Sequence, residues 1–87
     1  MQRRIVCSAI VSPEGLMVVG PRHFDSTMRK QLMLFPTGTF LTGEQGFIDQ
    51  HGVFLTREEA YTIAKEAGQI IRRCGGDEGT LFSENLY

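Results

Sequence analysis

The chain has little of the chemistry on which most enzymes depend. It contains no tryptophan, two cysteines and two histidines in 87 residues. Cys7 and Cys74 are too few and too far apart for a disulfide framework or a metal site. It also lacks any Cys-x-x-Cys, His-x-His or Gly-x-Ser-x-Gly pattern. The sequence therefore predicts a protein that is not an enzyme and needs no cofactor or metal.

Long hydrophobic runs are missing as well. A membrane-spanning helix needs about 20 apolar residues, and no run here approaches that length. The apolar run at residues 5–11 is too short for a signal peptide and is typical of a strand. We therefore expect a protein of the reducing cytosol with no membrane partner.

Neither charge sign is in large excess, since nine basic residues oppose ten acidic ones and the formal net charge is −1. This balance argues against binding to long nucleic acid, where affinity depends on many phosphate contacts. A small anionic ligand remains open, because it needs only two or three well-placed donors. Arg22 and the pair Arg72 and Arg73 are candidate donors, although grouped arginines are often simply solvated.

The length allows one domain, which we place at residues 1–87. A domain of this size buries only about 60–65% of the surface that its unfolded chain exposes. The composition is 41% hydrophobic and includes six phenylalanines and four methionines, which leaves apolar surface for contacts between subunits. We therefore expect a homo-oligomer.

Two β-hairpins are predicted from alternating β-rich runs and turn signals. The first pairs residues 4–11 with 16–20 around the turn at 12–15. The second pairs residues 45–50 with 52–55, and the glycine between them supplies a tight turn.

A helix is predicted after each hairpin. The first covers about residues 25–34, with Asp25 or the next residue as its N-cap. Its apolar face consists of Phe24, Met28, Leu32 and Phe35. The second helix begins at a capping box formed by Thr56 and Glu59 and ends at Gly68. The predicted fold is α+β, in the order ββα-ββα.

The C-terminal segment ends in apolar residues, which is unusual for a disordered terminus. Residues 72–79 are polar and glycine-rich, but Leu81, Phe82, Leu86 and Tyr87 follow them. We expect this tail to dock on its own body or on a second subunit.

The segment Gly20-Pro-Arg-His23 is one candidate ligand site. It combines a strand end, a rigid proline, and then Arg22 and His23 at the start of a helix. Backbone N–H groups at a helix N-terminus and an adjacent guanidinium favour an anion. The alternative is that Arg22 and His23 are surface residues beside a turn.

A second candidate site lies in the second hairpin and the helix after it. Phe47 follows a glycine in a strand, where a phenylalanine is usually part of the core. It could instead stack on a base while Arg57, Arg72 and Arg73 contact phosphate groups. Asp49 lies at the turn, where it would bind ligand or simply stabilise the turn.

Five blocks of the sequence resemble a bacteriophage family. They are residues 5–10, 20–25, 46–60, 67–70 and 81–87. In this order they are similar to the first type of phage Thoeris anti-defence protein, a sponge that sequesters nucleotide immune signals. The resemblance covers most of the chain.

The resemblance implies a protein of the infected bacterial cytoplasm that binds cyclic ADP-ribose isomers and releases them unchanged. It also implies hexamers assembled from dimers and trimers and, as in some members of the family, a second site for the cyclic trinucleotides of CBASS defence. The family's signal pocket uses an aromatic residue and arginines near a subunit interface. These correspond to Phe47 and to Arg72 and Arg73 here.

Two other functions remain open. A protein-binding phage inhibitor or assembly factor would act through the apolar tail and the helix faces, and would retain no nucleotide. An enzyme that degrades cyclic nucleotides would convert the signal to a new product, although the scarcity of histidine argues against it.

Overall fold

Four strands and two helices form the part of the protein that the structure describes. A computed structural model describes residues 2–70, 79–82, 85 and 86. The elements are β1 (Ile5–Val11), β2 (Met17–Gly20), α1 (Ser26–Leu32), β3 (Glu44–Asp49), β4 (Phe54–Thr56) and α2 (Arg57–Glu66). This order confirms the predicted α+β class and the ββα-ββα arrangement. The homo-oligomer stays a prediction.

The two hairpins join into one antiparallel sheet with the strand order β2-β1-β3-β4. The central β1 pairs with β2 on one side and with β3 on the other. Ser8 lies opposite both Gly20 and Phe47, so these three positions share one face of the sheet. Both helices pack on that face, because the core residues of the strands point there.

The second hairpin starts its return strand later than predicted. Gly52 and Val53 belong to the turn, since Gly52 N–H donates to the Asp49 carbonyl at 3.0 Å. The Val53 carbonyl accepts from Asp49 N–H at 3.2 Å and closes the turn. β4 therefore begins at Phe54, and its last residue, Thr56, is also the N-cap of α2.

Helix α2 has the termini that the sequence predicts. The Thr56 side chain accepts from the backbone N–H of Glu59, and the Glu59 side chain accepts from Thr56 N–H, which confirms the capping box. Gly68 follows the helix with φ of 68°, the left-handed conformation common at this position. Ala60 and Ala64 are fully buried, so the helix lies close to the sheet.

The predicted apolar face of α1 is wrong at its first member. Asp25 is the N-cap, as expected, and Met28 is fully buried. Phe24 lies outside the helix with φ of 59°, and half of its side-chain surface is exposed. A left-handed residue before the N-cap turns its side chain away from the helical stripe, which spacing alone cannot reveal.

The core has two parts on the helical face of the sheet. One gathers Ile5, Phe47, Leu55, Ala60, Ala64, Leu81 and Leu86. The other gathers Ile10, Val18 and Met28. Leu81 is fully buried, and Leu86 is nearly so. Leu81 and Leu86 of the tail therefore pack on the chain's own body, which is the first of the two alternatives that the sequence left open, while Tyr87 lies outside the described residues.

Candidate functional site

Three of the site residues predicted from the sequence lie close together on the helical face of the sheet. The rings of His23 and Phe47 meet edge to face, with centroids 5.2 Å apart and an angle of 83°. The guanidinium carbon of Arg57 lies 5.9 Å from the Phe47 ring centroid. His23 precedes α1, whereas Arg57 is the first residue of α2. The Phe47 ring therefore contacts residues at the N-terminal ends of both helices.

His23 is fixed by the backbone of the central strands. Its Nε2 lies 2.9 Å from the Gly46 carbonyl oxygen and 3.3 Å from that of Ala9. Both partners are acceptors, so Nε2 carries the proton and donates. Ala9 and Gly46 are paired across β1 and β3 and face away from the helices, which lets the imidazole approach the backbone.

Arg57 connects the tail to the body. Its Nη1 donates to the Leu81 carbonyl at 2.8 Å, and its Nη2 donates to Gln45 Oε1 at 2.9 Å. The guanidinium carbon is 4.9 Å from the Phe82 ring centroid, within cation–π range. Leu81 N–H in turn donates to the Arg57 carbonyl at 3.0 Å. The positive charge is thus held in one place.

Gln45 is one of the residues that line a pocket of about 390 Å³. We call it the Phe24 pocket. Its walls are Ile10, Phe24, Leu32, Pro36, Thr37, Gly38, Thr39, Phe40, Leu41, Gly43 and Gln45. Ligand pockets usually measure about 300–1,000 Å³ and combine an apolar lining with a few polar groups. The Phe24 pocket has this size and character. Gln45 links it to Arg57.

Sequence reasoning missed Phe24 and Gln45 as site residues. The spacing of apolar residues places Phe24 on the core face of a helix, and the sequence pattern indicates only that Gln45 begins a strand. The pocket is assembled from the loop at residues 36–43 and two separate strands, so it depends on tertiary structure. One local signal is present: Phe24 directly precedes Asp25, the expected N-cap, and therefore lies outside the helix.

Phe47 is entirely buried, which corrects its role as a stacking surface in this conformation. Its ring packs in the core with Leu55 and Leu81. No face of the ring is accessible to a base. The usual reading of a phenylalanine in a strand, as a core residue, therefore holds. The buried Phe47 ring packs against the His23 ring and lies within 5.9 Å of the Arg57 guanidinium carbon.

The anion site predicted at the start of α1 is already filled by a carboxylate. Asp25 accepts from Met28 N–H at 2.9 Å and from Arg22 N–H at 3.0 Å. These two hydrogen bonds lower the pKa of Asp25, so its negative charge would repel an anion there. The start of α1 is thus capped by the chain's own carboxylate, and ligand binding by Arg22 and His23 stays a prediction.

Asp49 has a structural role. Its carboxylate accepts from the backbone N–H groups of His51 and Val53 at 2.8 and 3.0 Å, and pairs with Arg3 at 2.9 Å. Burial alone would raise the pKa of Asp49, but these hydrogen bonds outweigh it and lower the pKa. The carboxylate stabilises the turn, which is the alternative that the sequence left open.

The remaining two predicted site residues, Arg72 and Arg73, lie outside the described residues. Cys74 does too. Burial raises the pKa of the Cys7 thiol, so that it remains protonated and weakly nucleophilic.

The described residues contain neither a metal-ligand cluster nor a membrane-spanning helix. Across the described residues, no group of three or more His, Cys, Asp or Glu side chains could hold a metal ion. Within the same residues, every helix is too short or too polar to span a membrane. The described site thus offers apolar walls, amide donors and a fixed guanidinium, which suit binding.

Comparison with known proteins identifies the family. A family model described as the phage T4 y16D protein matches residues 4–87. No curated protein and no solved structure matches the chain. The bacteriophage origin expected from the sequence is confirmed by this match, whereas the Thoeris resemblance stays a prediction. Because the family model covers nearly the whole chain, the protein belongs to the phage T4 y16D family.

Proposed function

We propose that this phage protein binds a cyclic nucleotide immune signal and sequesters it without cleaving it. The signal belongs to the class of cyclic ADP-ribose isomers, and the protein acts in the cytoplasm of the infected host. The observation that carries the proposal is the guanidinium of Arg57, tied through Gln45 to a pocket of about 390 Å³.

Charge supports a ligand that carries phosphate. Arg57 is held by Leu81, Gln45 and Phe82, so its charge does not have to be ordered when a ligand arrives. A guanidinium suits phosphate because it is always charged and its N–H groups form a planar fork. The overall charge of −1 fits a small anion better than a nucleic acid.

The chemistry of the described residues also supports binding over turnover. His23 donates from Nε2 to two backbone carbonyls, and Asp49 is committed to its turn and to Arg3. Neither residue is among those that line the Phe24 pocket, where a general base would have to act. A sequestering protein needs only affinity, at about 1.4 kcal/mol for each tenfold.

The direct test is recovery of bound ligand. Purified protein is mixed with cyclic ADP-ribose isomers and cyclic trinucleotides, freed of unbound ligand by filtration, and heated. Mass spectrometry of the supernatant should find one class of ligand intact. Retention of nothing would overturn the proposal. Recovery of a linear or otherwise altered product would also overturn it, in favour of the degrading enzyme.

Variants of two arginines connect that result to the site. Arg57→Gln should reduce retention at least tenfold, since it removes the charge but keeps a hydrogen-bonding side chain. Arg4→Gln makes the same charge change at an exposed position and should retain ligand normally. Arg57→Lys keeps the charge and should fall between the two. Melting curves verify that the tail remains docked in each variant.

Three exposed apolar side chains favour a second candidate function. Met33, Leu34 and Leu41 are 83%, 81% and 85% exposed. Exposed large apolar side chains can mark a protein-binding surface when they adjoin one another. In this alternative the protein is an inhibitor or assembly factor with no nucleotide ligand. Replacing all three with asparagine would then abolish partner capture, and the wild-type protein would release no nucleotide on heating.

A further inference from the structure

We infer that the Phe24 pocket receives the purine base of the ligand, with the base on the Phe24 ring and its edge at the Gln45 amide. This inference rests on the proposed function and names the part of the ligand that each side of the site recognises. The phosphates lie on the Arg57 side of Gln45.

The lining of the pocket fits an uncharged heterocycle. Ile10, Leu32 and Phe40 give it apolar walls, and none of the described lining residues is charged. A phosphate group would lose its hydration there without a compensating charge. A flat aromatic base would lose little, because stacking and dispersion replace its contacts with water.

Gln45 supplies the polar recognition. Guanidinium groups only donate, so the contact with Arg57 Nη2 identifies the Gln45 atom as Oε1 and fixes the orientation of the amide. The amide N–H₂ group has no hydrogen-bond partner among the described residues. Because Gln45 is one of the residues that line the pocket, we assign these two donors to the ligand. Purine ring nitrogens are acceptors and suit these donors.

Phe24 lines the pocket in an unusual backbone conformation. Its φ of 59° is strained for a bulky residue, and its ring is half exposed. Strained residues persist where the surrounding structure holds them, and they concentrate at ligand sites. Two contacts hold Phe24 here: its N–H approaches the Met28 sulfur at 3.2 Å, and Asp25 caps the helix that follows. The strain keeps an aromatic face at the pocket.

Variants at the two residues test the inference by titration with cyclic ADP-ribose isomers. Phe24→Ala should weaken binding about tenfold or more, the usual effect of losing one stacking partner, whereas Phe24→Tyr should keep it. Gln45→Glu keeps the acceptor for Arg57 but removes both donors, and should also weaken binding. The control is Glu44→Gln, which makes the opposite charge change at the exposed neighbouring residue. This variant should bind as wild type.

Adenosine, which carries no phosphate, separates this inference from the proposed function. At millimolar concentration it should shift the amide resonances of Phe24 and Gln45. Tight cyclic nucleotide binding that is unchanged in Phe24→Ala would overturn the inference and leave sequestration standing. Adenosine bound in the pocket without any cyclic nucleotide binding would support the base site and overturn sequestration. No binding of either probe would overturn both.

Discussion

The side chain of Gln69 and the backbone of Ile5 exchange two hydrogen bonds. Ile5 N–H donates to Gln69 Oε1 at 2.8 Å, and Gln69 Nε2 donates to the Ile5 carbonyl at 2.8 Å. The amide thus pairs with a strand residue in the way a neighbouring strand would. Because Gln69 follows α2 and Ile5 begins β1, the pair joins the C-terminal end of α2 to the start of the sheet.

The same arrangement recurs at an edge of the sheet. Gln31 of α1 accepts from Val19 N–H at 2.9 Å and donates to the Val19 carbonyl. Val19 lies in β2, an outer strand, whose unpaired backbone groups would otherwise be open to another chain. Glutamine side chains therefore satisfy backbone groups that the sheet itself leaves unpaired.

Gln69→Ala should lower the free energy of unfolding by about 1–3 kcal/mol, because it leaves two backbone groups of a buried residue without partners. Gln2→Ala, which removes one exposed bond, should change it by less than about 0.5 kcal/mol. Urea denaturation measures both. Equal effects of the two substitutions would contradict this account of Gln69.

Gln69→Glu tests the hydrogen bonds more finely. An ionised carboxylate accepts from Ile5 N–H but faces the Ile5 carbonyl without a proton to donate. The variant should therefore be destabilised at neutral pH, should recover relative to wild type as the pH falls through the raised folded-state pKa of the introduced carboxyl, and should be fully recovered below about 4.3, the ordinary pKa of a glutamate. A stability difference that does not change with pH would contradict the exchange of two bonds.

The strain at Phe24 should reverse the usual order of alanine and glycine. Both Phe24→Ala and Phe24→Gly remove the ring, but only glycine adopts φ of 59° without a steric cost. Phe24→Gly should therefore be more stable than Phe24→Ala by about 1 kcal/mol, measured by urea denaturation. A more stable alanine variant would show that the backbone there is not strained.

Gly46 should not tolerate any side chain. An added Cβ would overlap the Leu55 carbonyl oxygen and the Phe54 ring across the β3–β4 pair. Gly46→Ala should cost about 1–3 kcal/mol or more. Adding Phe54→Ala should not restore stability, because the overlap with the backbone carbonyl remains. Rescue by that second substitution would mean that the ring alone prevents a larger residue.

Acid should destabilise the fold through three carboxylates with lowered pKa values. Hydrogen bonds lower the pKa of Asp25, Asp49 and Glu59 from ordinary values of 3.8, 3.8 and 4.5. A carboxylate with a lowered folded-state pKa stabilises the fold above its unfolded pKa and loses that contribution as the pH falls through its folded-state pKa. The urea midpoint should therefore be level above these values and fall below them. Asp49→Asn should weaken this dependence.

Local signals in the sequence predicted the framework well. The capping box at Thr56 and Glu59 involves only neighbouring residues, so its pattern could be recognised without tertiary structure. The turn at residues 12–15 and the N-cap Asp25 are local for the same reason. These features fixed the order of the elements and placed His23 and Arg57 near the starts of the two helices.

The site depends on contacts that no local pattern records. Gln45 and Arg57 meet across the second hairpin, and Leu81 reaches Arg57 from the tail. The φ of Phe24 follows from the way Asp25 caps α1, and spacing alone assigned that ring to the core. The sequence therefore indicates that His23 and Arg57 lie at the helix starts, but it does not indicate that Phe24 is accessible and Phe47 is buried.

One NMR titration of the ¹⁵N-labelled protein with cyclic ADP-ribose isomers tests the central claim most directly. The account predicts that one isomer shifts the amide resonances of Phe24, Gln45 and Arg57, while the ligand's own signals show no new product over time. Unchanged protein spectra, or the appearance of product signals, would contradict sequestration by this protein.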